Sequence, residues 1–198
     1  MCGFTQDFND NVDWLAHSGG TYTSNTGPPS SGFQAHGVYL LFEATSTSTR
    51  PVLPGDVARL VSPRLPKQWL GYKKCLEFAM NVHGQHIGSV NILDEFNRVV
   101  YGYIGLKAQN QDLKHWVAVS VQLLPYQALF VLEGSKGGEV EADSEGDICV
   151  DDFGLSVGEC RKKYVEFELF LTGGKCHVFF SILADFPDID SESDSRTL

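Results

Sequence analysis

Short apolar runs separated by Gly, Ser, Thr and Pro dominate this sequence, and they constrain its fold more than any other feature. In the run 115–124, Val117, Val119 and Val121 fall on one face, which is the period-2 pattern of a strand with one face in a core. The runs predict an all-β protein, an antiparallel β-sandwich of the jelly-roll type, with a barrel as the alternative. Seven runs have the length and composition of strands: residues 37–44, 56–62, 75–84, 89–96, 115–124, 128–134 and 147–153.

The composition fits one domain that acts on neither nucleic acid nor lipid. Apolar residues make up 42% of the 198, which is enough for a sizeable core. The formal charge of −10 argues against a phosphate-rich partner, which would need clustered Lys and Arg. No stretch approaches the roughly 18 apolar residues of a membrane-spanning helix. The first residues also show no signal-peptide core.

Two long segments are the candidate recognition loops. Residues 18–37 and 45–55 are rich in Gly, Ser, Thr and Pro, which favour turns and irregular backbone. Loops of this length on a rigid sandwich often carry binding residues. Solvated connections with no partner are the alternative, and the sequence leaves the choice open.

Eight motifs in a fixed order identify a family. The chain resembles the MAM domain, an extracellular β-sandwich module found in meprins, neuropilins and receptor tyrosine phosphatases that mediate cell contact. The motifs are CGFTQD with DW (2–14), SNTGP (24–28), GVYLLFEA (37–44), GDVARLVSP (55–63), CLEFAMNVHGQHIGSVNI (75–92), Trp116, FVLEGSKG (130–137) and GDICVDDFGLSVGEC (146–160).

The resemblance places the domain boundary at residue 160. Family members usually carry a Cys-x-Phe-Glu segment before the position of Cys2 and pair its cysteine with that position, and this segment is absent here. Residues 161–184 are unassigned, although their apolar alternation is typical of extra strands. Residues 185–198 hold five acids and one Arg, a net of −4, and are predicted to be a disordered tail.

The five cysteines divide into one implied pair and three others. The resemblance implies a disulfide between Cys75 and Cys160, which would close a loop spanning most of the domain. An odd count leaves at least one thiol outside any internal pairing. Cys149 is interpreted as a packed free thiol, because free cysteine behaves as a small hydrophobe. Cys2 lacks its usual partner, and pairing with Cys149 or Cys176 stays open.

Adjacent acids near the end of the last predicted strand form the candidate metal site. Strand alternation would place Asp152 on the same face of the strand as Ile148 and Val150. It would place Asp151 on the opposite face, with Cys149 and Phe153. A carboxylate that approaches the core must be hydrogen-bonded, paired or metal-bound.

Two interpretations of these acids are open. The first is hydrogen bonding to loop amides or to Arg59. In the second, Asp152 binds a calcium or sodium ion with Asp7 and Asp13, an arrangement that resembles some MAM domains. No other cofactor is predicted to be required.

Other motifs give no catalytic site. His83 and His86 flank Gly84, which indicates a turn rather than a zinc site. Adjacent acids on a strand alternate in direction, so they cannot flank one glycosidic bond. Trp14, Trp69 and Trp116 are interpreted as core or loop residues rather than as sugar-stacking platforms.

The resemblance therefore implies a non-catalytic extracellular interaction or adhesion module. Its partner would be another protein or a second copy, with neither nucleic-acid binding nor membrane insertion by this chain. It would belong to a larger secreted or membrane-anchored protein and lie outside the cell or on the extracellular face of the plasma membrane. That location assumes a signal peptide outside this sequence. The alternatives are a carbohydrate-binding jelly-roll module and an accessory domain of an extracellular metalloprotease.

Overall fold

Ten β-strands form the described part of the chain. A computed structural model describes residues 3–23, 26–28, 32–33, 37–45, 51–84, 86–104, 113–138 and 145–160. Predictions for residues 161–198, for Cys2 and for Cys176 therefore lie outside the described residues. The strands are β1 Thr5–Gln6, β2 Leu15–His17, β3 Tyr39–Glu43, β4 Val57–Val61, β5 Lys74–Gly84, β6 Ile87–Leu93, β7 Val99–Ile104, β8 Leu113–Leu123, β9 Val131–Lys136 and β10 Gly146–Val157. A short 3-10 turn at Lys67–Trp69 lies between β4 and β5.

Two five-stranded antiparallel sheets make the sandwich. One has the order β1-β4-β9-β6-β7 and the other β2-β3-β10-β5-β8. Several neighbouring strands are far apart in sequence, as in the pairing of β10 with both β3 and β5, whereas β2–β3 and β6–β7 are consecutive pairs. The predicted jelly-roll sandwich is confirmed, and each of the seven predicted runs overlaps a strand. Strands β1, β2 and β7 were not predicted.

Alternating apolar residues of both sheets fill the space between them. One sheet contributes Leu60, Ile92 and Leu132, and the other contributes Phe42 and Ile148; all five are completely buried. In β8, Val119 and Val121 are buried while Ala118 and Ser120 are exposed, as the period-2 pattern predicts.

A β-bulge in β10 changes the alternation that the sequence predicts. Asp151 pairs with Ala79 and Gly154 pairs with Glu77, so two residues of β10 oppose one residue of β5. Asp152, the first of these two residues, has a φ of +52°.

The bulge moves Phe153 into the core. Phe153 packs beside Phe78 and Phe130 between the sheets, with ring centroids 5.7 and 6.5 Å away. The prediction that Phe153 shares a face with Cys149 is therefore wrong, because the extra residue shifts every later side chain by one position.

A second, smaller cluster lies outside the main core. Tyr39, Leu41 and Cys149 form it, and Trp116 packs against it. Cys149 alternates with Ile148 and Val150 of the main core, so the cluster lies on the other face of the same sheet. The ring centroids of Phe33 and Trp116 are 6.2 Å apart, so Phe33 of the 18–37 segment lies next to the cluster.

Candidate interaction surface

A disulfide joins the first residues of β5 to the end of the domain. Cys75 and Cys160 are bonded, their Cα atoms are 4.9 Å apart, and they lie 85 positions apart in sequence. The pair is the one that the resemblance implies. Cys149 is a buried free thiol, which agrees with its interpretation as a packed residue. Burial, followed by the nearby carboxyl groups, raises the pKa of Cys149 well above its ordinary value.

The carboxyl group of Asp151 anchors the 18–37 segment to the sheet. Its Oδ2 accepts a hydrogen bond of 2.9 Å from the Phe33 amide, and its Oδ1 accepts one of 2.9 Å from the Asp152 amide. Burial raises the pKa of Asp151 to about 6, although both hydrogen bonds oppose that shift. The first interpretation of the paired acids, hydrogen bonding to loop amides, therefore describes Asp151. Arg59 instead pairs with Glu133 at 2.7 Å.

Further hydrogen bonds fix the beginning and middle of this segment. The Tyr39 hydroxyl donates to the Gly19 carbonyl at 2.8 Å. The Thr23 hydroxyl donates to the Thr45 hydroxyl at 3.1 Å, which joins the segment to the end of β3. The described residues of the segment are thus held against the sheet before any partner binds.

Beneath this segment lies a pair of buried acids that the sequence analysis missed. Glu43 and Asp147 are register partners in β3 and β10, and Asp147 is completely buried. Burial and then the charge of Glu43 raise the pKa of Asp147 to about 7. Lys136 lies close enough to Glu43 for the two charges to interact, and its ammonium group donates to the Ala44 carbonyl at 2.6 Å.

Exposed apolar side chains mark the outer surface of the two predicted loops. Tyr22 is 73% exposed, and its ring packs at a tilt against His17 with ring centroids 4.8 Å apart. Val38, at the end of the first loop, and Leu53, in the second, are also more than half exposed. We call Tyr22, Val38 and Leu53 the loop surface.

Two of the three predicted cation ligands lie together. Asp7 and Asp13 line one shallow cleft between β1 and β2. Asp10 lines the same cleft, and its Oδ2 accepts a 2.6 Å hydrogen bond from the Arg59 amide. Burial raises the pKa of Asp10, and the charges of Asp7 and Asp13 add to the shift.

The third predicted ligand, Asp152, lies on the β10 bulge and does not line this cleft. Across the residues that the structure describes, no group of three or more His, Cys, Asp or Glu is arranged to hold a metal ion. The site formed by Asp7, Asp13 and Asp152 stays a prediction.

Comparisons with known proteins decide the family. The family model for the MAM domain, meprin/A5/mu, matches residues 1–161. The chain belongs to the MAM domain family.

The matching relatives are much longer than this MAM domain. MAM domain-containing glycosylphosphatidylinositol anchor protein 2 of Mus musculus is 34% identical over 187 residues, covering 82% of this chain and 18% of that protein. Protein 1 of the same name from Gallus gallus is 35% identical over 174 residues, covering 82% of this chain and 17% of that protein. Neuropilin-1a of Danio rerio is 28% identical over 208 residues, covering 98% of this chain and 21% of that protein. The chain therefore spans about a fifth of the length of these relatives.

Among solved structures, the K3 adhesin domain of Lys-gingipain from Porphyromonas gingivalis matches with a TM-score of 0.49. Its sequence is 16% identical, and the match covers 77% of this chain and 91% of that one. In the described residues, no helix is long and apolar enough to cross a membrane.

The three tryptophans of this MAM domain are packed, as predicted. Trp14 is 1% exposed, and its indole N–H donates to the Ala58 carbonyl at 3.0 Å. Trp69 is buried, and Trp116 is half-buried against Tyr39 and Phe33. These positions leave no broad indole face free for stacking on a sugar.

The two histidines near Gly84 lie in different elements, His83 in β5 and His86 in the turn before β6. Gly84 has a φ of +122° at the end of β5, and the Glu145 amide donates to Nδ1 of His86 at 3.2 Å. The turn interpretation therefore agrees with the structure for His86 but is wrong for His83, which lies in β5 opposite Asp147 of β10.

Proposed function

We propose that this MAM domain is a non-catalytic extracellular module that binds another protein, or a second copy of itself, through the loop surface. The observation that carries the proposal is a recognition loop held in place on a rigid, disulfide-closed sandwich. Family membership and the glycosylphosphatidylinositol-anchor relatives support a position outside the cell, as part of a larger secreted or membrane-anchored protein.

The physical argument rests on preorganisation. A loop that is ordered before binding loses less conformational entropy when its partner arrives. Asp151 and Tyr39 supply this order through hydrogen bonds to Phe33 and Gly19. Tyr22 then presents an exposed aromatic ring, a residue type that is enriched at the centres of protein interfaces.

A cell-binding assay tests the proposal. The chain would be displayed on multivalent beads, and bead capture by a panel of intact cells, and by other coated beads, would be measured. We expect capture that Tyr22→Ser combined with Leu53→Ser reduces several-fold. Phe96→Ser combined with Tyr126→Ser, which changes equally exposed aromatic residues elsewhere, should leave capture intact.

Enzymatic treatment of the cells distinguishes a protein ligand from a carbohydrate ligand. Surface proteolysis should abolish capture, whereas enzymatic removal of glycans should leave it. Capture that survives proteolysis but is lost with the glycans would contradict the proposal and favour a carbohydrate-binding module. Equal capture by the loop-surface variant would exclude the loops as the binding site.

We also propose that a calcium or sodium ion binds Asp7, Asp13 and Asp152. Two features support this: Asp7 and Asp13 share a cleft, and burial raises the pKa of Asp152, which a bound cation would counteract. Since Asp152 lies off that cleft, the ion would have to draw the bulge towards it. Calorimetry should show saturable heat that Asp13→Asn and Asp152→Asn each remove. Binding that survives Asp152→Asn would contradict the three-residue site.

A further inference from the structure

The end of the sandwich that carries the disulfide presents an aromatic surface with a positive charge. Three segments meet there, 63–74, 94–99 and 124–128. The amide of Gly71 donates to the Pro125 carbonyl at 3.0 Å, and the amide of Ala128 donates to Glu95 Oε1 at 3.3 Å. Four exposed side chains flank the Gly71–Pro125 hydrogen bond: Leu70, Tyr72, Leu124 and Tyr126. We call this region, together with Phe96 and Arg98, the basic end.

Arg98 links two of the aromatic rings. Its guanidinium carbon lies 5.1 Å from the centroid of Phe96 and 5.5 Å from that of Tyr126. One guanidinium nitrogen also donates to the Tyr126 hydroxyl at 3.0 Å. Phe96 is 66% exposed and Tyr126 is 50% exposed, so both rings keep most of one side open to solvent. Aromatic and arginine side chains grouped in this way are typical of protein-binding surfaces.

A buried ammonium group holds the basic end in one conformation. Lys74 is completely buried, and its Nζ donates to three carbonyl oxygens, those of Trp69 at 3.2 Å, Tyr72 at 2.9 Å and Pro125 at 3.0 Å. It therefore joins the 69–72 turn to the turn between β8 and β9. The surface is preorganised, which lowers the entropy cost of binding.

Charge favours one occupant. Because Lys74 is buried, the exposed cations here are Arg64, Lys67, Lys73 and Arg98. Lys73 pairs with Glu159 and Arg98 pairs with Asp94, which leaves Arg64 and Lys67 for a partner. With Glu95 included, these groups carry a net of +1 in a chain whose formal charge is −10. The complement is an acidic peptide with apolar residues. Residues 185–198 of this chain have that character, because they carry a net of −4 with Phe186 and Ile189 between the acids.

The chain also continues from the basic end. Cys160 is bonded to Cys75, and its amide donates to Gln122 Oε1 at 2.9 Å. The Gly158 amide donates to the carbonyl of Lys73, the residue after Tyr72. Residues 161–184 lie between this point and the acidic segment, and 24 residues span far more than the width of a small domain when extended.

We infer that the acidic segment 185–198 docks intramolecularly on the basic end, with its apolar side chains against Phe96 and Tyr126 and its acids facing Arg64 and Lys67. This inference is independent of the proposed function, which uses the loop surface. Occupation of the basic end by the chain itself would cover an aromatic surface that is otherwise exposed.

Photo-crosslinking of the full chain tests the inference. Benzoylphenylalanine would replace Tyr126, and in a matched control it would replace Tyr22, an exposed tyrosine of the loop surface. After irradiation, mass spectrometry should find crosslinks from position 126 to residues 185–198, at a yield several-fold above that from position 22. Benzoylphenylalanine at Phe96 supplies a second reporter should the first variant fold poorly.

Three further measurements test the role of charge and whether the crosslinks form within one chain. Replacing the five acids of 185–198 by Asn or Gln should lower the yield several-fold, as should raising the ionic strength to about 1 M. Mixed ¹⁴N and ¹⁵N chains should give crosslinks within one chain. Crosslinks that are mainly between chains, that go elsewhere in the sequence, that ignore the acid substitutions, or that do not form at either reporter would overturn the inference.

Discussion

Glu43 and Asp147 lie directly opposite each other on neighbouring strands, and both carboxyl groups are buried beneath the 18–37 segment. His83 of β5 is the register partner of Asp147 on the other side, and Lys136 is the nearby cation. Two buried carboxylates side by side repel each other, so the pair holds a proton more tightly than an exposed acid does. The free energy of unfolding should therefore fall as pH rises, whereas a carboxyl group with a lowered pKa would make it rise.

The first prediction concerns this pair. Because the pKa of Asp147 is about 7 in the folded protein and 3.8 ordinarily, the folded state keeps a proton between these values that the unfolded state has released. The contribution of Asp147 to stability thus falls as pH rises from about 4 to 7 and is lost above that. Asp147→Asn should be more stable than the unmodified protein at pH 8, by on the order of a few kcal/mol, and similar to it at pH 4.

Urea unfolding at several pH values measures this difference. Asp151, whose pKa is also raised, remains in both proteins, so the comparison isolates Asp147. A difference that stays constant from pH 4 to 8 would show that Asp147 does not titrate in this range.

Asp94 should behave in the opposite way. Burial disfavours its charged form, but hydrogen bonds from the backbone and guanidinium of Arg98 and from the Phe96 amide outweigh burial and lower its pKa. Its stabilising effect is present above its ordinary pKa and is lost as pH falls through the lowered value. Asp94→Asn should cost about 1–3 kcal/mol at pH 7, with the loss shrinking in acid. If Asp94→Asn lowered the free energy of unfolding equally at pH 3 and pH 7, the charge of Asp94 would not be the source of its stabilising effect.

Removal of the disulfide should destabilise the whole domain. Cys75 and Cys160 are 85 positions apart, and cross-linking a loop of that size stabilises the folded state by about 4–5 kcal/mol in the chain-entropy model. Cys75→Ala combined with Cys160→Ala should lower the free energy of unfolding by about that amount. The unmodified protein unfolded in the presence of a reductant should match the double variant. Unfolding curves that do not respond to reductant would contradict the pairing.

The thiol of Cys149 should be inert in the folded protein. It is buried, and its pKa is raised well above the ordinary value, so little thiolate is available for reaction. Iodoacetamide at pH 8 should leave Cys149 unmodified for hours and label it promptly in urea, as mapped by mass spectrometry. Rapid native labelling would mean that the 18–37 segment opens often.

The strands and their connections differ in how well the sequence predicts them. β8 is unambiguous because Val117, Val119 and Val121 alternate with small or polar residues. β1 and β2, with two and three residues, are too short to produce a periodic signal. β7 carries a signal in its VVYGYI run, preceded by a turn in which Asn97 has a φ of +59°, and this signal was missed.

The positions of the site residues could not be predicted from local sequence patterns, because they depend on contacts between distant parts of the chain. Period 2 fails at Asp152, because a bulge inserts one extra residue and reverses the faces of those that follow. The buried ammonium of Lys74 is satisfied by carbonyls from residues that lie up to 51 positions away. Only a folded chain brings these groups together. The disulfide was accessible through the resemblance rather than through spacing.

The last prediction uses two glycines with positive φ to separate backbone strain from steric overlap. Gly84 has a φ of +122°, and an added Cβ would lie 2.3 Å from Cα of Gly146 in the neighbouring strand. Gly55 has a φ of +89°, with no atom within 4 Å of the same position. Gly55→Ala should therefore cost only the strain of the left-handed region, about 1–2 kcal/mol. Gly84→Ala adds an overlap between two backbones, which neither strand can relieve without losing the β5–β10 pairing at this end. Its cost in urea unfolding should exceed that of Gly55→Ala by on the order of 2 kcal/mol. Equal losses would mean that β5 and β10 separate here at little cost, and that the 18–37 segment above them is held less firmly than its hydrogen bonds imply.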